Sequence, residues 1–179
     1  METAPAQRQA AILFADIAGS TRLYETLGDA EALATITRAL DLIRQVCEEH
    51  GGRIVKTIGD EAMAIFPNAA NAAYASITMQ TQVSGMKTSR GAPLSIHAGF
   101  HYGPVIEESK DVFGDSVNLA ARLTSLAKAS QTLLSEDTLG NLDANDPVSA
   151  AAIRGSFVYW DDIAVHYRGA VMRSGGHGF

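Results

Sequence analysis

The stretch Gln9-Ala10-Ala11-Ile12-Leu13-Phe14-Ala15-Asp16 decides how the rest of the chain is read. It is a continuous apolar run that ends on a carboxylate. A run of this length without polar alternation suits a strand covered on both faces. It falls far short of the ~18 apolar residues of a membrane span. Only Arg8 precedes it as a basic residue and Asp16 interrupts its end, so it also makes a poor signal peptide. A strand buried on both sides needs further layers, and the flanking sequence must supply them.

Moving outward, Gly19-Ser20-Thr21 open a short helix ending near Gly28, and Asp29 is placed to cap a longer helix to about Glu49. Within it Leu33, Ile36, Leu40, Ile43 and Cys47 recur every three or four residues, which predicts one buried stripe. Arg53 to Ile58 and Glu61 to Phe66 read as strands joined by Gly59-Asp60, a two-residue hairpin with Gly first. Asn68 to about Met86 predicts an Ala-rich helix. Leu94, Ile96, Ala98, Phe100 and Tyr102 alternate along a half-buried strand. Gly103-Pro104 should break it, with Val105-Ile106 returning beside it. Ser116 to Lys128 predicts a helix, Gln131 to Ser135 a short strand, 140–152 a loop, and the final strand material lies between Phe157 and Tyr167. The order βααββαβ predicts an α+β fold: a ferredoxin-like, palm-like sandwich with a mostly antiparallel sheet and helices on one face. Residues 1–8 and 171–179 are expected to be flexible ends around a single domain spanning 9–170.

Composition fits that reading. With 46% hydrophobic and 19% charged residues, the 179-residue chain has a globular make-up and the size of one domain. A single cysteine, Cys47, excludes an internal disulfide and predicts a buried, inert thiol on the long helix. The net charge of −6 argues against general affinity for nucleic acid or anionic membranes. A cytoplasmic location without membrane insertion is expected. A nucleotide substrate stays compatible with this charge if metal ions or a few placed Lys and Arg supply cations locally.

Three pairs of residues carry chemistry. Asp16 and Asp60 are carboxylates at a strand end and a hairpin turn, which a palm-like sheet would bring together. Two carboxylates ~4 Å apart repel by about 4 kcal/mol at an effective dielectric near 20. A divalent cation removes that repulsion. Asp60 has an ordinary alternative as a turn former, whereas Leu13-Phe14-Ala15 should carry Asp16 into a dry region. Asn118 and Arg122, four apart, project from one helical face, an amide and a guanidinium suited to a sugar oxygen and a phosphate. A solvated polar stripe is the bland alternative, but Ala120 and Ala121 keep this helix slim enough for a close neighbour. Lys56 lies among Ile54, Val55 and Ile58, where a lysine needs a partner, and Asp111 is a candidate. An ion pair within one subunit would explain that pair equally well.

In chain order, Phe14-Ala-Asp16-Ile17-Ala-Gly19-Ser20-Thr21, Lys56-Thr-Ile-Gly59-Asp60, His101-Tyr-Gly103-Pro104-Val105 and Asp111-Val-Phe-Gly114-Asp-Ser-Val117-Asn118-Leu-Ala120-Ala-Arg122 closely resemble the class III adenylate/guanylate cyclase catalytic domain. The resemblance covers about residues 9 to 135, and several spaced motifs in one order are far more specific than any alone. It implies that Asp16, Ile17 and Asp60 hold two Mg²⁺ or Mn²⁺ ions. It implies also that Asn118 orients the ribose and Arg122 neutralises charge growing on the α-phosphate, with ATP as substrate. The N–H groups at Gly19, Ser20 and Thr21 are placed to bind phosphate. Lys56 offers only donors and Asp111 only acceptors, which complement adenine N1 and N6; guanine reverses both. The resemblance further implies a homodimer with active sites shared between subunits, and allows regulatory domains in a longer chain.

The match departs from the family at the end. Arg168-Gly169 resembles its basic-residue-and-Gly strand, with Arg168 reaching the triphosphate, but the Pro and terminal aromatic that usually follow are missing. His97 stands where many members carry Arg or Lys and reads as a surface strand residue. Two rival readings are weighed against an active adenylate cyclase. Gly59-Asp60-Glu61 superficially resembles the turn of diguanylate cyclases, but a second Gly and the aromatic after Glu are absent. A degenerate, regulatory cyclase-like domain would be expected to lose a metal Asp or the Asn/Arg pair, all of which this chain keeps.

Overall fold

In the computed structural model the opening strand, β1 (Gln7–Ile17), starts two residues before the predicted run and lies inside a mixed sheet. The structure describes residues 5–142, 158–160 and 163–167. After β1 come α1 (Ser20–Leu27), α2 (Asp29–Glu49), the hairpin β2 (Arg53–Ile58) and β3 (Glu61–Phe66), then α3 (Ala69–Gly85). There follow β4 (Ile96–Glu108), β5 (Asp111–Phe113), α4 (Asp115–Leu126), β6 (Gln131–Ser135), α5 (Glu136–Asn141), β7 (Val158–Trp160) and β8 (Ile163–Tyr167). The strand order is β2-β3-β1-β4-β6-β8-β7, with β5 paired to the far end of β4. The pairings are antiparallel except β4 with β6. The α+β class and the βααββαβ start are thus as expected.

Alternation along β1 divides the core. Ala11, Leu13, Ala15 and Ile17 pack with Ile36 and Ile43 of α2 and Ala72 and Met79 of α3. Ala10, Ile12 and Phe14 face the other way, against Met63, Ile65, Val105, Val112 and Ala120 of α4. Both faces are covered, as the unbroken apolar run requires. The helices therefore do not share one face, because α4 lies opposite α2 and α3. Gly99 explains how closely α4 sits on β4: a Cβ there would lie 2.4 Å from the backbone N of Thr124. Ser116, Ala120 and Thr124, each four residues on, are the buried edge of that helix.

Several expectations need correction. Leu33 is 57% exposed; Ala32, Thr35, Ile36, Ala39, Ile43, Val46 and Cys47 form the buried stripe of α2, and Leu40 only borders it. Ile36, Ile43 and Cys47 lie on the stripe as expected, but its other members are largely alanines, which carry too little surface to mark a face. Asp29 does not cap α2. Gly28 does, and Asp29 sits in the first turn with Glu31, where the helix dipole favours negative charge. Gly103-Pro104 does not break β4, which runs through to Glu108. Beside β1, the other edge of β4 pairs with β6 at Ala98 to Phe100 and with β5 at Ile106 to Glu108. Pro104 falls in the gap, a position a strand proline tolerates. The returning strand is β5, not Val105-Ile106, and Asp111 begins it. Helix α5 went unpredicted, although Ser135 caps it by accepting from the N–H of Thr138. The predicted 140–152 loop lies outside the described residues from 143 onward.

Candidate active site

The register of three neighbouring strands builds one cluster. Asp16 of β1 is opposite Glu61 of β3 on one side and His97 of β4 on the other. Cross-strand partners share a face. Ala15 and Ile17 point toward α2 and α3, so Asp16, Glu61 and His97 lie on the α4 face. The hairpin turn closes the cluster, because Ile17 donates its N–H to the Asp60 carbonyl at 3.3 Å. Gly59 takes a φ of +60°, which allows a two-residue turn and brings Asp60 to the end of β1.

Charges in this cluster are unevenly satisfied. Asp16 Oδ2 lies 3.2 Å from His97 Nε2, while the other oxygen, Oδ1, is buried with no hydrogen-bond partner among the described residues. The hydrogen bond from His97 to Asp16 raises the imidazole pKa above its ordinary 6.5, against burial and with help from the bond to the Thr124 carbonyl. Burial raises the Glu61 pKa, the negative charge of Asp16 raises it further, His97 opposes the rise, and Asp60 adds to it. An orphaned carboxylate oxygen amid crowded acids is where a cation lowers the energy. The donor set suits a hard divalent ion, which prefers oxygen ligands. Among the described residues no three His, Cys, Asp or Glu side chains by themselves form a group able to hold a metal. Further oxygens, from backbone or from a bound substrate, would have to complete the coordination.

The remaining predicted residues are placed elsewhere. Lys56 Nζ donates to Asp111 Oδ2 at 2.8 Å, and Asp111 Oδ1 accepts from the Val112 N–H at 2.8 Å. Lys56, followed by the backbone N–H of Val112, holds the Asp111 carboxyl below its usual range. Lys56 is not enclosed by an apolar strand, for β2 is the sheet edge and its side chain is 42% exposed. An exposed ion pair does little for stability. Asn118 and Arg122 are exposed on α4, turned away from the buried Ser116-Ala120-Thr124 edge. No side-chain hydrogen bond or ion pair engages either one among the described residues. Ala120 is used against its own sheet, which leaves Ala121 as the small exposed residue beside Arg122. Gly19 caps α1 with φ 69°, and no side chain caps the first N–H groups of that helix at Ser20 and Thr21. Arg168 lies outside the described residues.

Among the described residues no hydrogen bond or ion pair joins the side chains of the acidic cluster, the Lys56–Asp111 pair and the Asn118/Arg122 face to one another. His97 and Glu61 are the members that sequence reasoning missed. Strand parity carried the signal: His97 alternates with Ile96 and Ala98, so burial of those two sends it to the face of Asp16.

Comparison with known proteins identifies the family. The model of the adenylate and guanylate cyclase catalytic domain matches residues 2–165. An adenylate cyclase of Streptomyces coelicolor is 34% identical over 150 residues, covering 81% of this chain and 38% of its own length. The chain thus spans well under half the length of the curated relatives it matches, from 38% of this Streptomyces enzyme down to 7% of an adenylate cyclase of Mycosarcoma maydis. The monomeric guanylyl cyclase domain of the RhoGC fusion protein from Blastocladiella emersonii shares the fold, with a TM-score of 0.79 at 21% identity over 93% of this chain and 99% of that one. An adenylate/guanylate cyclase/hydrolase from Silicibacter pomeroyi gives a TM-score of 0.71 at 26% identity, covering 92% of this chain and 99% of that one. The chain belongs to the family of class III adenylate and guanylate cyclase catalytic domains.

Proposed function

We propose that this nucleotidyl cyclase domain is an adenylate cyclase, converting ATP to 3′,5′-cyclic AMP and pyrophosphate in a homodimer. The observation that carries the choice of base is the Lys56–Asp111 pair, a donor and an acceptor held 2.8 Å apart at an accessible edge. Adenine presents an acceptor at N1 and a donor at N6, so each group finds its complement; guanine would meet donor with donor and acceptor with acceptor. Such a site discriminates through the unpaired groups that the wrong base leaves behind.

Asp16, Asp60 and the Ile17 carbonyl would hold two Mg²⁺ or Mn²⁺ ions. The unpartnered Asp16 Oδ1 and the crowding of Asp16, Glu61 and Asp60 support that assignment. When bound, such ions make the ribose 3′-hydroxyl more acidic and neutralise triphosphate charge. Asn118 orients the ribose for in-line attack at the α-phosphorus, and Arg122 stabilises the charge that develops on the α-phosphate. Backbone N–H groups from Gly19 to Thr21, with Arg168, bind the outer phosphates. Asn118 and Arg122 leave the outer face of α4, away from the sheet that carries their own Asp16. A second copy related by a two-fold axis brings its Asn118 and Arg122 to the first copy's aspartates, and the reverse, making two equivalent sites. The domain would work in the cytoplasm, where ATP is available, and the greater length of its relatives leaves room for regulatory domains. Among the described residues no helix is long and apolar enough to cross a membrane.

The test is cyclic-nucleotide formation with Mn²⁺ and either ATP or GTP. Cyclic AMP should dominate, and Lys56→Glu with Asp111→Cys should lower the ATP-to-GTP ratio. The full discrimination of a hydrogen-bonded site, up to ~10⁴–10⁵-fold, is not expected from two side chains in an otherwise unchanged pocket. An unaltered ratio would move base recognition to other residues. Nucleotide binding without any cyclic product would favour the regulatory, degenerate reading.

A further inference from the structure

His97 is engaged at both ring nitrogens. Nε2 lies 3.2 Å from Asp16 Oδ2, and Nδ1 lies 2.9 Å from the backbone carbonyl of Thr124. The two nitrogens thus face a carboxylate oxygen and a carbonyl oxygen, both of them acceptors. Thr124 lies in the last turn of α4, where carbonyls lack full intrahelical partners and partial negative charge collects. The imidazole therefore bridges the end of a helix and a carboxylate on the central strand. Free rotation of the Asp16 carboxylate would exchange its two oxygens. With Oδ2 held by His97, Oδ1 is the oxygen left buried and without a hydrogen-bond partner among the described residues.

We propose that His97 is a positioning residue for metal binding: by tying Asp16 Oδ2 to the C-terminal turn of α4, it fixes Asp16 with Oδ1 presented to an incoming divalent cation. The inference rests on Asp16 being a metal ligand. His97 itself need not touch the ion. The same contact connects Asp16 to the helix that bears Asn118 and Arg122, so one ring sets the carboxylate relative to both. Partners that orient a ligating side chain typically change metal affinity by ~10–100-fold when removed.

The experiment titrates Mn²⁺ alone into nucleotide-free protein and follows the loss of the free Mn²⁺ electron paramagnetic resonance signal. Melting temperatures in a chelator are measured in parallel. His97→Phe, which keeps an aromatic ring and loses both ring nitrogens, should weaken Mn²⁺ binding by ~10–100-fold. His97→Gln retains a donor near the Nε2 position and should stay close to wild type. His97→Asn retains one near Nδ1 only and should fall with the Phe variant, even where its metal-free melting temperature matches that of His97→Gln. If His97→Phe does not fold, the Gln and Asn variants decide. Equal Mn²⁺ affinity in Gln and Asn, or wild-type affinity in a folded Phe variant, overturns the positioning role. Should Asp16→Ala abolish binding while His97→Phe leaves it intact, the metal reading stands and only this inference falls. A wild-type protein that binds no Mn²⁺ either alone or with a non-reacting ATP analogue removes both.

Discussion

The two faces of the sheet use the same strands for opposite purposes. Toward α2 and α3, β1 presents Ala11, Leu13, Ala15 and Ile17 to Ile36, Ile43 and Met79, with no charged group among them. The ionisable Cys47 there is inert, its thiol pushed up to about 12 chiefly by burial. Toward α4, the next residue in register is Asp16, flanked by Glu61 and His97, and one carboxylate oxygen has no partner. Adjacent residues of one strand thus divide the work. One parity supplies stability and the other tolerates unsatisfied charge, because the first holds the strands in place.

The sharpest way to break that division is to injure each face separately. On the apolar face, Ile43→Ala should lower unfolding free energy by ~2–5 kcal/mol in urea titrations, while the ATP-to-GTP preference stays put. On the polar face, Asp60→Asn should reduce cyclase turnover by on the order of a hundredfold or more, with the metal-free stability held or raised since a repelling charge is gone. The division fails if the two variants exchange phenotypes.

A smaller effect is expected where α4 rests on the sheet. Gly99→Ala places a methyl 2.4 Å from the Thr124 backbone N, and backbone cannot move aside as a flexible side chain would. Overpacking of this kind costs about 1–3 kcal/mol. Thermal unfolding should register it, and Mn²⁺ binding should weaken in step, because Thr124 also holds His97. An unperturbed Gly99→Ala protein would mean that α4 has more freedom than its close seat implies.

The smallest effect separates two histidines on one strand. His101, on the same face as His97, is bonded from Nδ1 to the Ser135 hydroxyl at 2.6 Å, and burial lowers its pKa below 6.5. The folded state then binds this proton less readily than the unfolded chain does. The contribution to stability is complete above pH 6.5 and is lost as pH falls from there toward the lowered folded pKa. His101→Asn should flatten the fall in melting temperature across that acid window relative to wild type. An unchanged slope would assign the acid sensitivity to other groups.

How much of this was legible in the sequence depended on what marks a residue's surroundings. The apolar run through Phe14 and the hairpin at Gly59-Asp60 announce themselves, since length and turn chemistry are local. The buried stripe of α2 was legible only in part: Ile36, Ile43 and Cys47 lie on it, but Ala32 and Ala39 carry the face that Leu33 was expected to hold. Strand β5 is three residues long, too short for a periodic signal. The acids Asp16 and Asp60 stood out by position, whereas His97 became readable only when register set it opposite Asp16. Lys56 and Asp111 were paired from type alone, but their exposure on the sheet edge is a tertiary fact.

In the proposed mechanism catalysis needs two copies, one giving Asp16 and Asp60 and the other Asn118 and Arg122. Mixing Asp16→Ala protein with Arg122→Ala protein tests it directly. Each should be inactive alone. With free subunit exchange about half of the dimers are mixed, and each mixed dimer has one site carrying both lesions and one carrying neither. Cyclic AMP formation should therefore recover to about a quarter of the wild-type rate. A mixture that stays inactive after exchange has been demonstrated would contradict the shared site.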